Sequence, residues 1–176
     1  IKQALEKGIP VWSELELAFR MFNVPVVAVT GTNGKTTTTA LIGAMFKDAG
    51  RSVVVAGNIG VPLIEKVPEI TPDHVVVVEV SSFQLERIET FKPRVGIALN
   101  LTPDHLDRHG NFENYARATE RIFLNQCGED FSILNYDDKY VRKMAQSTKG
   151  QVIFFSTRHT LEQGAYLFND AVHVVL

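Results

Sequence analysis

Disulfide chemistry is the first thing this chain lacks. Its 176 residues hold a single cysteine, Cys127, so no internal bridge can form and a reducing compartment suits it. Long apolar runs are missing too. None approaches the ~18–20 residues that a membrane-spanning helix needs. The opening Ile1-Lys2-Gln3-Ala4-Leu5-Glu6-Lys7 alternates charge with helix formers and does not read as a signal peptide. Nor does one sign of charge dominate. Lys and Arg number 18 against 20 Asp and Glu, a net −2, and the basic residues are scattered. That excludes the strong positive field of a general nucleic-acid or anionic-membrane binder. What remains is ordinary globular composition, 45% hydrophobic and 22% charged, long enough for one domain with a sizeable core.

Within that length, apolar strands and helices alternate. Residues 24–30, 52–56, 74–80, 94–100, 131–135 and 152–156 read as strands. Gly8-Ile9-Pro10 ends a first helix, and helices are expected at 14–21, 35–49, 83–89, 111–126 and from Asp137, with a short one after Pro62. The helix at 35–49 carries Leu41, Ala44, Met45 and Asp48 on successive turns and is closed by Gly50. Residues 102–110 read as a polar loop, and 166–176 as a hairpin turning at Asn169-Asp170. The alternation predicts an α/β fold of P-loop type, a mostly parallel open sheet with helices on both faces and a C-terminal β-hairpin. Ligands in such sheets bind beyond the carboxyl ends of the strands. Residues 31–37, Asn58, 79–81 and 100–105 should therefore line one edge.

The chemistry concentrates there. The apolar run Val26-Val27-Ala28-Val29-Thr30 leads into Gly31-Thr32-Asn33-Gly34-Lys35-Thr36-Thr37. Glycines let the backbone approach an anion, and a helix N-terminus carries about half a positive charge. Lys35 is placed to bridge phosphates, and Thr36 to hold Mg²⁺ through its hydroxyl. The first glycine of the usual P-loop is absent, its position being Val29. Glu79 ends a four-valine strand, where a carboxylate is costly unless paired or metal-bound; beside a phosphate loop it reads as a Mg²⁺ ligand. His105, nearest the strand end in Asp104-His105-Leu106-Asp107-Arg108-His109, is the best candidate of that loop to face the site. Asn58, in Gly57-Asn58-Ile59-Gly60, fits either a turn position or a contact to phosphate or carboxylate.

Together these segments resemble the central ATPase domain of the Mur ligases, the cytosolic ATP-dependent amide ligases of peptidoglycan synthesis. The phosphate loop of that family, shared with folylpolyglutamate synthases, also lacks the first glycine. Glu79-Val80-Ser81-Ser82-Phe83-Gln84-Leu85, with Phe83-Gln84 after the two serines, resembles the D-glutamate-adding branch, as do Gly57–Gly60 and Asn100-Leu101-Thr102-Pro103-Asp104-His105-Leu106-Asp107. The resemblance implies ATP phosphates held by Lys35 and the amides of residues 31–37, one Mg²⁺ on Thr36 and Glu79, and a second on His105. It places Asn58 and Ser81 on the UDP-substrate side or at its metal. It also implies UDP-N-acetylmuramoyl-L-alanine and D-glutamate as substrates, joined through an acyl phosphate, in a bacterial cytoplasmic enzyme that is monomeric at full length.

One position departs from that family. Where it carries a carbamylated, metal-binding lysine, this chain has Thr119, on a helix face with Phe112, Tyr115, Ala116, Ile122 and Phe123. The second metal site is expected to be weakened. Residues 1–22 are expected to be the end of an N-terminal domain or linker. Residues 23–176 are expected to be a central ATP-binding domain, incomplete at its C-terminus, in a piece of a longer protein without its C-terminal ligase domain. Such a piece is expected to be a poor catalyst by itself. Other readings are another Mur ligase, a folylpolyglutamate synthase, a P-loop nucleotide switch or a non-catalytic fragment. Against a GTPase switch, no Asn-Lys-x-Asp guanine-reading motif is present.

Overall fold

A computed structural model describes residues 1–58 and 60–175; Ile59 and Leu176 lie outside it. The strands are β1 (Val26–Thr30), β2 (Val53–Gly57), β3 (Val75–Glu79), β4 (Val95–Ala98), β5 (Phe131–Asn135), β6 (Gln151–Ser156), β7 (Gly164–Phe168) and β8 (Ala171–Val175). The helices are α1 (Lys2–Glu6), α2 (Glu14–Phe19), α3 (Lys35–Asp48), α4 (Leu63–Lys66), α5 (Ser82–Leu85), α6 (Leu106–His109), α7 (Phe112–Glu120) and α8 (Lys139–Lys143). One sheet of order β2-β3-β1-β4-β5-β6-β7-β8 results, parallel throughout except for β7 against β8. This is the expected α/β architecture, hairpin included. Asn169 and Asp170 adopt φ +48° and +59°, the left-handed pair that a two-residue hairpin turn requires.

The valine runs become central strands because both faces are covered. Every residue of β1 and β3 is buried, as a parallel sheet between helical layers demands. On one face α3 packs Ile42 and Phe46 against Val27, Val29, Val75, Val77 and Ile97. On the other, α2, α4, α5, α7 and α8 contribute Leu15, Leu63, Leu85, Tyr115 and Val141 to a core with Val26, Ala28, Val76 and Val78. The order sets the site. The chain leaves β1 toward β2 and leaves β3 across β1 toward β4, which opens a crevice at their carboxyl ends.

Several boundaries differ from the sequence reading. The polar loop contains a one-turn helix, α6, because His109 is drawn into the core. The 111–126 helix stops at Glu120 and tightens into a 3₁₀ turn over Arg121–Phe123. The helix expected at 83–89 is only α5. Leu41 and Met45 of α3 point to solvent, while Thr39 and Gly43 lie on its buried side. Gly43 lets the helix settle on β2, since a Cβ there would lie 2.4 Å from Val55 Cγ2. α2 joins the main core through Leu15 and Ala18.

Candidate active site

The phosphate loop is held from β4. Gly31 has φ +138°, and a Cβ there would press on Asn100 backbone atoms at 3.1 Å. Thr32 N–H donates to Asn100 O at 2.9 Å. The Asn100 side chain accepts from Asn33 N–H at 2.8 Å and donates to Asn33 O at 2.9 Å. The Thr32 hydroxyl meets Thr102 O and the Tyr115 hydroxyl, at 3.2 and 2.9 Å. Burial pushes the Tyr115 hydroxyl pKa up, which keeps it a neutral partner. The amides of Thr32 and Asn33 are thus already engaged. The N–H groups of residues 34–37 at the start of α3 have no partner among the described residues. Gly34 caps the helix at φ +84° with no side-chain cap, which leaves an open helix N-terminus of the kind that takes an anion. Lys35 Nζ folds back on Gly31 O and Thr32 O, both at 2.9 Å. Thr37 is exposed on the first turn.

Glu79 is the centre of the second cluster. Register places Val29 and Gly57 beside it. Gly57 has φ +133°, and a Cβ there would lie 2.2 Å from Glu79 O; only glycine allows this approach. Glu79 is 2% exposed. It accepts from Thr36 Oγ1 at 2.7 Å and from Asn58 Nδ2 at 3.3 Å, and no cationic side chain pairs with it among the described residues. A buried carboxylate with only neutral donors fits a bound cation. One carboxylate and one hydroxyl suit Mg²⁺, which keeps waters and phosphate oxygens for its remaining positions. No group of three or more His, Cys, Asp and Glu able to hold a metal is found among the described residues.

A cleft of about 190 Å³ brings Gly31, Lys35, Asn58, Ser81, Asp104, His105 and Tyr115 together. Lys35, Asn58, Ser81 and His105, distant in sequence, share its wall. His105 has φ +52° and its Nε2 lies 3.5 Å from Asp104 Oδ2. Below it, His109 Nδ1 approaches Glu86 Oε1 at 3.1 Å and His109 Nε2 meets Ser82 Oγ at 3.0 Å. Phe83 lies over His109 with ring centroids 5.2 Å apart. This anchor fastens α6 to α5 and so fixes where His105 starts. Thr119 is buried, as its helix face predicts, and turns its hydroxyl to Tyr115 O at 2.9 Å. Sequence reasoning placed Asn100 on the ligand-binding edge and His109 in the polar loop, but it did not foresee that Asn100 and Tyr115 brace the phosphate loop or that His109 anchors α6, because their partners lie far along the chain.

Residues 29–173 match the Mur ligase middle domain. The UDP-N-acetylmuramoylalanine–D-glutamate ligase of Pelotomaculum thermopropionicum is 54% identical over 95% of this chain and 37% of its own length. That of Alkaliphilus metalliredigens is 50% identical over 99% of this chain and 38% of its own. The chain therefore spans less than two fifths of these relatives. Among solved structures, the MurF ligase of Thermotoga maritima in complex with ADP superposes with TM-score 0.67 at 22% identity, covering 90% of this chain and 40% of that one. A UDP-N-acetylmuramoyl-L-alanyl-D-glutamate–2,6-diaminopimelate ligase gives 0.64 at 24%, covering 86% and 36%. These two likenesses bear on the fold. The family model spans both the phosphate loop and the Glu79 cluster, and the chain belongs to the Mur ligase middle-domain family.

Proposed function

We propose that this chain is the ATP-binding middle segment, residues 23–176, of a longer cytoplasmic ligase that joins D-glutamate to UDP-N-acetylmuramoyl-L-alanine. Residues 1–22 would lead into it, and the full-length enzyme would be a monomer. The observation that carries the reading is the pairing of Lys35 and an open α3 N-terminus with buried Glu79, bridged by Thr36. The name shared by relatives of 54% and 50% identity supports the choice of substrates.

In this reading Lys35 and the N–H groups of residues 34–37 bind ATP phosphates. Gly31, Thr32 and Asn33 shape the loop around them. Thr36 and Glu79 hold one Mg²⁺, and His105 a second. Mg²⁺ supplies positive charge where a carboxylate and a phosphate must approach. Asn58 and Ser81 face the carboxylate substrate. Its oxygen attacks the γ-phosphorus and ADP leaves. The D-glutamate amine then attacks the acyl phosphate carbon, and phosphate leaves as the amide forms. Thr119 cannot form a carbamate, and its hydroxyl is turned to Tyr115 O. A metal held by His105 would therefore lack the carboxylate that the family resemblance implies at position 119.

The test is phosphate release by the full-length ligase. It should require ATP, UDP-N-acetylmuramoyl-L-alanine and D-glutamate together. Preference for GTP, or release indifferent to either substrate, would overturn the reading.

A further inference from the structure

Gln84 belongs to the Phe83-Gln84 pair that marks the D-glutamate-adding resemblance, yet only Phe83 of the two lines the cleft. Gln84 Oε1 accepts from Ser81 N–H and from Ser81 Oγ–H, both at 3.1 Å. Its Nε2 donates to Glu14 Oε2 at 3.2 Å. The amide cannot be reversed, because a backbone N–H only donates and an ionised carboxylate only accepts. The other oxygen of Glu14 accepts from Ile64 N–H at 2.7 Å, on the first turn of α4. That turn follows the segment carrying Asn58, itself closed by Gly57 N–H to Val61 O at 3.0 Å. One half-buried carboxylate on α2 is thus tied to both stretches of chain that deliver Ser81 and Asn58 to the cleft.

We propose that Glu14 and Gln84 are positioning residues for this site and act through Ser81. The Ser81 hydroxyl hydrogen is committed to Gln84, and one lone pair of its oxygen takes a long 3.4 Å contact from Gln84 N–H. The lone pair that remains is offered to the cleft. Ser81 is thereby set as an acceptor, suited to a cation or to an N–H or O–H of the substrate and not to a phosphate oxygen. Gln meets this need where Glu does not. A glutamate at 84 would still cap Ser81 but would set a second carboxylate against Glu14.

The catalytic consequence rests on the ligase reading; the relay itself does not, and two measurements separate them. On this chain, amide hydrogen exchange at Ser81 and Ile64 reports the relay directly. Glu14→Ala should speed exchange at both amides ~10-fold or more, and unchanged exchange would overturn the proposal. In the full-length ligase, Gln84→Glu should lower kcat for phosphate release ~10-fold while KM for ATP stays within about twofold. The double variant Glu14→Gln/Gln84→Glu keeps the bonds donated by Ser81 and Ile64, reverses only the one between positions 14 and 84, and should recover kcat. In a Ser81→Ala background, Gln84→Glu should have no further effect, since residues that act in one chain of contacts are not additive. A kcat loss that persists in that background, or one not recovered by the double variant, would overturn action through Ser81. A parent enzyme without substrate-dependent phosphate release would overturn the ligase reading instead, and the exchange result would still decide the relay.

Discussion

Glu16 and Glu79 are both buried carboxylates, at 0% and 2% exposure, but their surroundings are opposite. Glu16, on α2, accepts from the N–H groups of Glu89, Thr90 and Phe91, from Thr90 Oγ1 and from Arg20 Nε, at 2.6 to 3.0 Å. Burial alone would raise its pKa. The donors from Thr90, Glu89 and Phe91 outweigh that and hold it at about 2. Glu79, at the end of β3, has two neutral side-chain donors and no cationic partner among the described residues. Burial by itself therefore says little about what a carboxylate does. The donor count separates a saturated structural anchor, which pins α2 to the 89–91 turn, from a site still short of positive charge. A saturated carboxylate should matter for stability, and an undersupplied one for chemistry.

That contrast can be broken from either side. On the proposed ligase reading, the largest effect is expected for Glu79→Gln in the full-length protein, where phosphate release should fall by ~10³ or more. Its unfolding free energy should stay within about 1 kcal/mol of the parent in urea titration. A stability loss as large as the activity loss would make Glu79 structural and erase the contrast. Glu16→Ala should do the reverse and lower the unfolding free energy of this chain by about 3–5 kcal/mol, because it orphans backbone donors and Arg20 together.

Acid should act on the same anchor. The folded-state pKa of Glu16 is depressed from 4.5 to about 2. Its contribution is therefore fully present above about pH 4.5 and lost as pH falls toward 2. A shift of that size corresponds to about 3 kcal/mol. Denaturant midpoints measured across that window should fall in the parent and flatten in Glu16→Gln. The smallest effect belongs to Thr119, buried one helical turn beyond Tyr115 of the cleft wall. Thr119→Lys should raise phosphate release ~10-fold in the full-length ligase and make it depend on bicarbonate. Unchanged activity would mean that position 119 does no metal work in the proposed ligase.

How much of this was legible beforehand follows the range of the contacts. The phosphate loop was readable because its parts are adjacent. A valine strand, two glycines, Lys35 and Thr36 form one local unit, and the strand–turn–helix is what such a string folds into. Glu79 was readable because a lone charge after four valines is locally anomalous. The bracing of the loop by Asn100 and Tyr115 was not, since their partners there lie 67 and 83 residues away and only the β1–β4 pairing and the packing of α7 on the sheet bring them close. On α3, Leu41 and Met45 recur on successive turns but face solvent, and the helix rests on β2 through Gly43, where contact distance outweighed hydrophobicity.

Sequence by itself determined the alternation of elements, the parallel sheet that follows from fully apolar strands, and the loop that opens α3. These depend on side-chain periodicity and on glycine's backbone freedom, which act within a few residues. Tertiary structure alone decided which polar groups are already engaged. Strand order put β1 between β3 and β4, and that order left Glu79 facing Thr36 and Asn58, committed the loop amides of Thr32 and Asn33 to Asn100, and set Glu14 behind Ser81. A hydrogen bond needs its partner within about 3 Å, and no local pattern states which distant residue will be there.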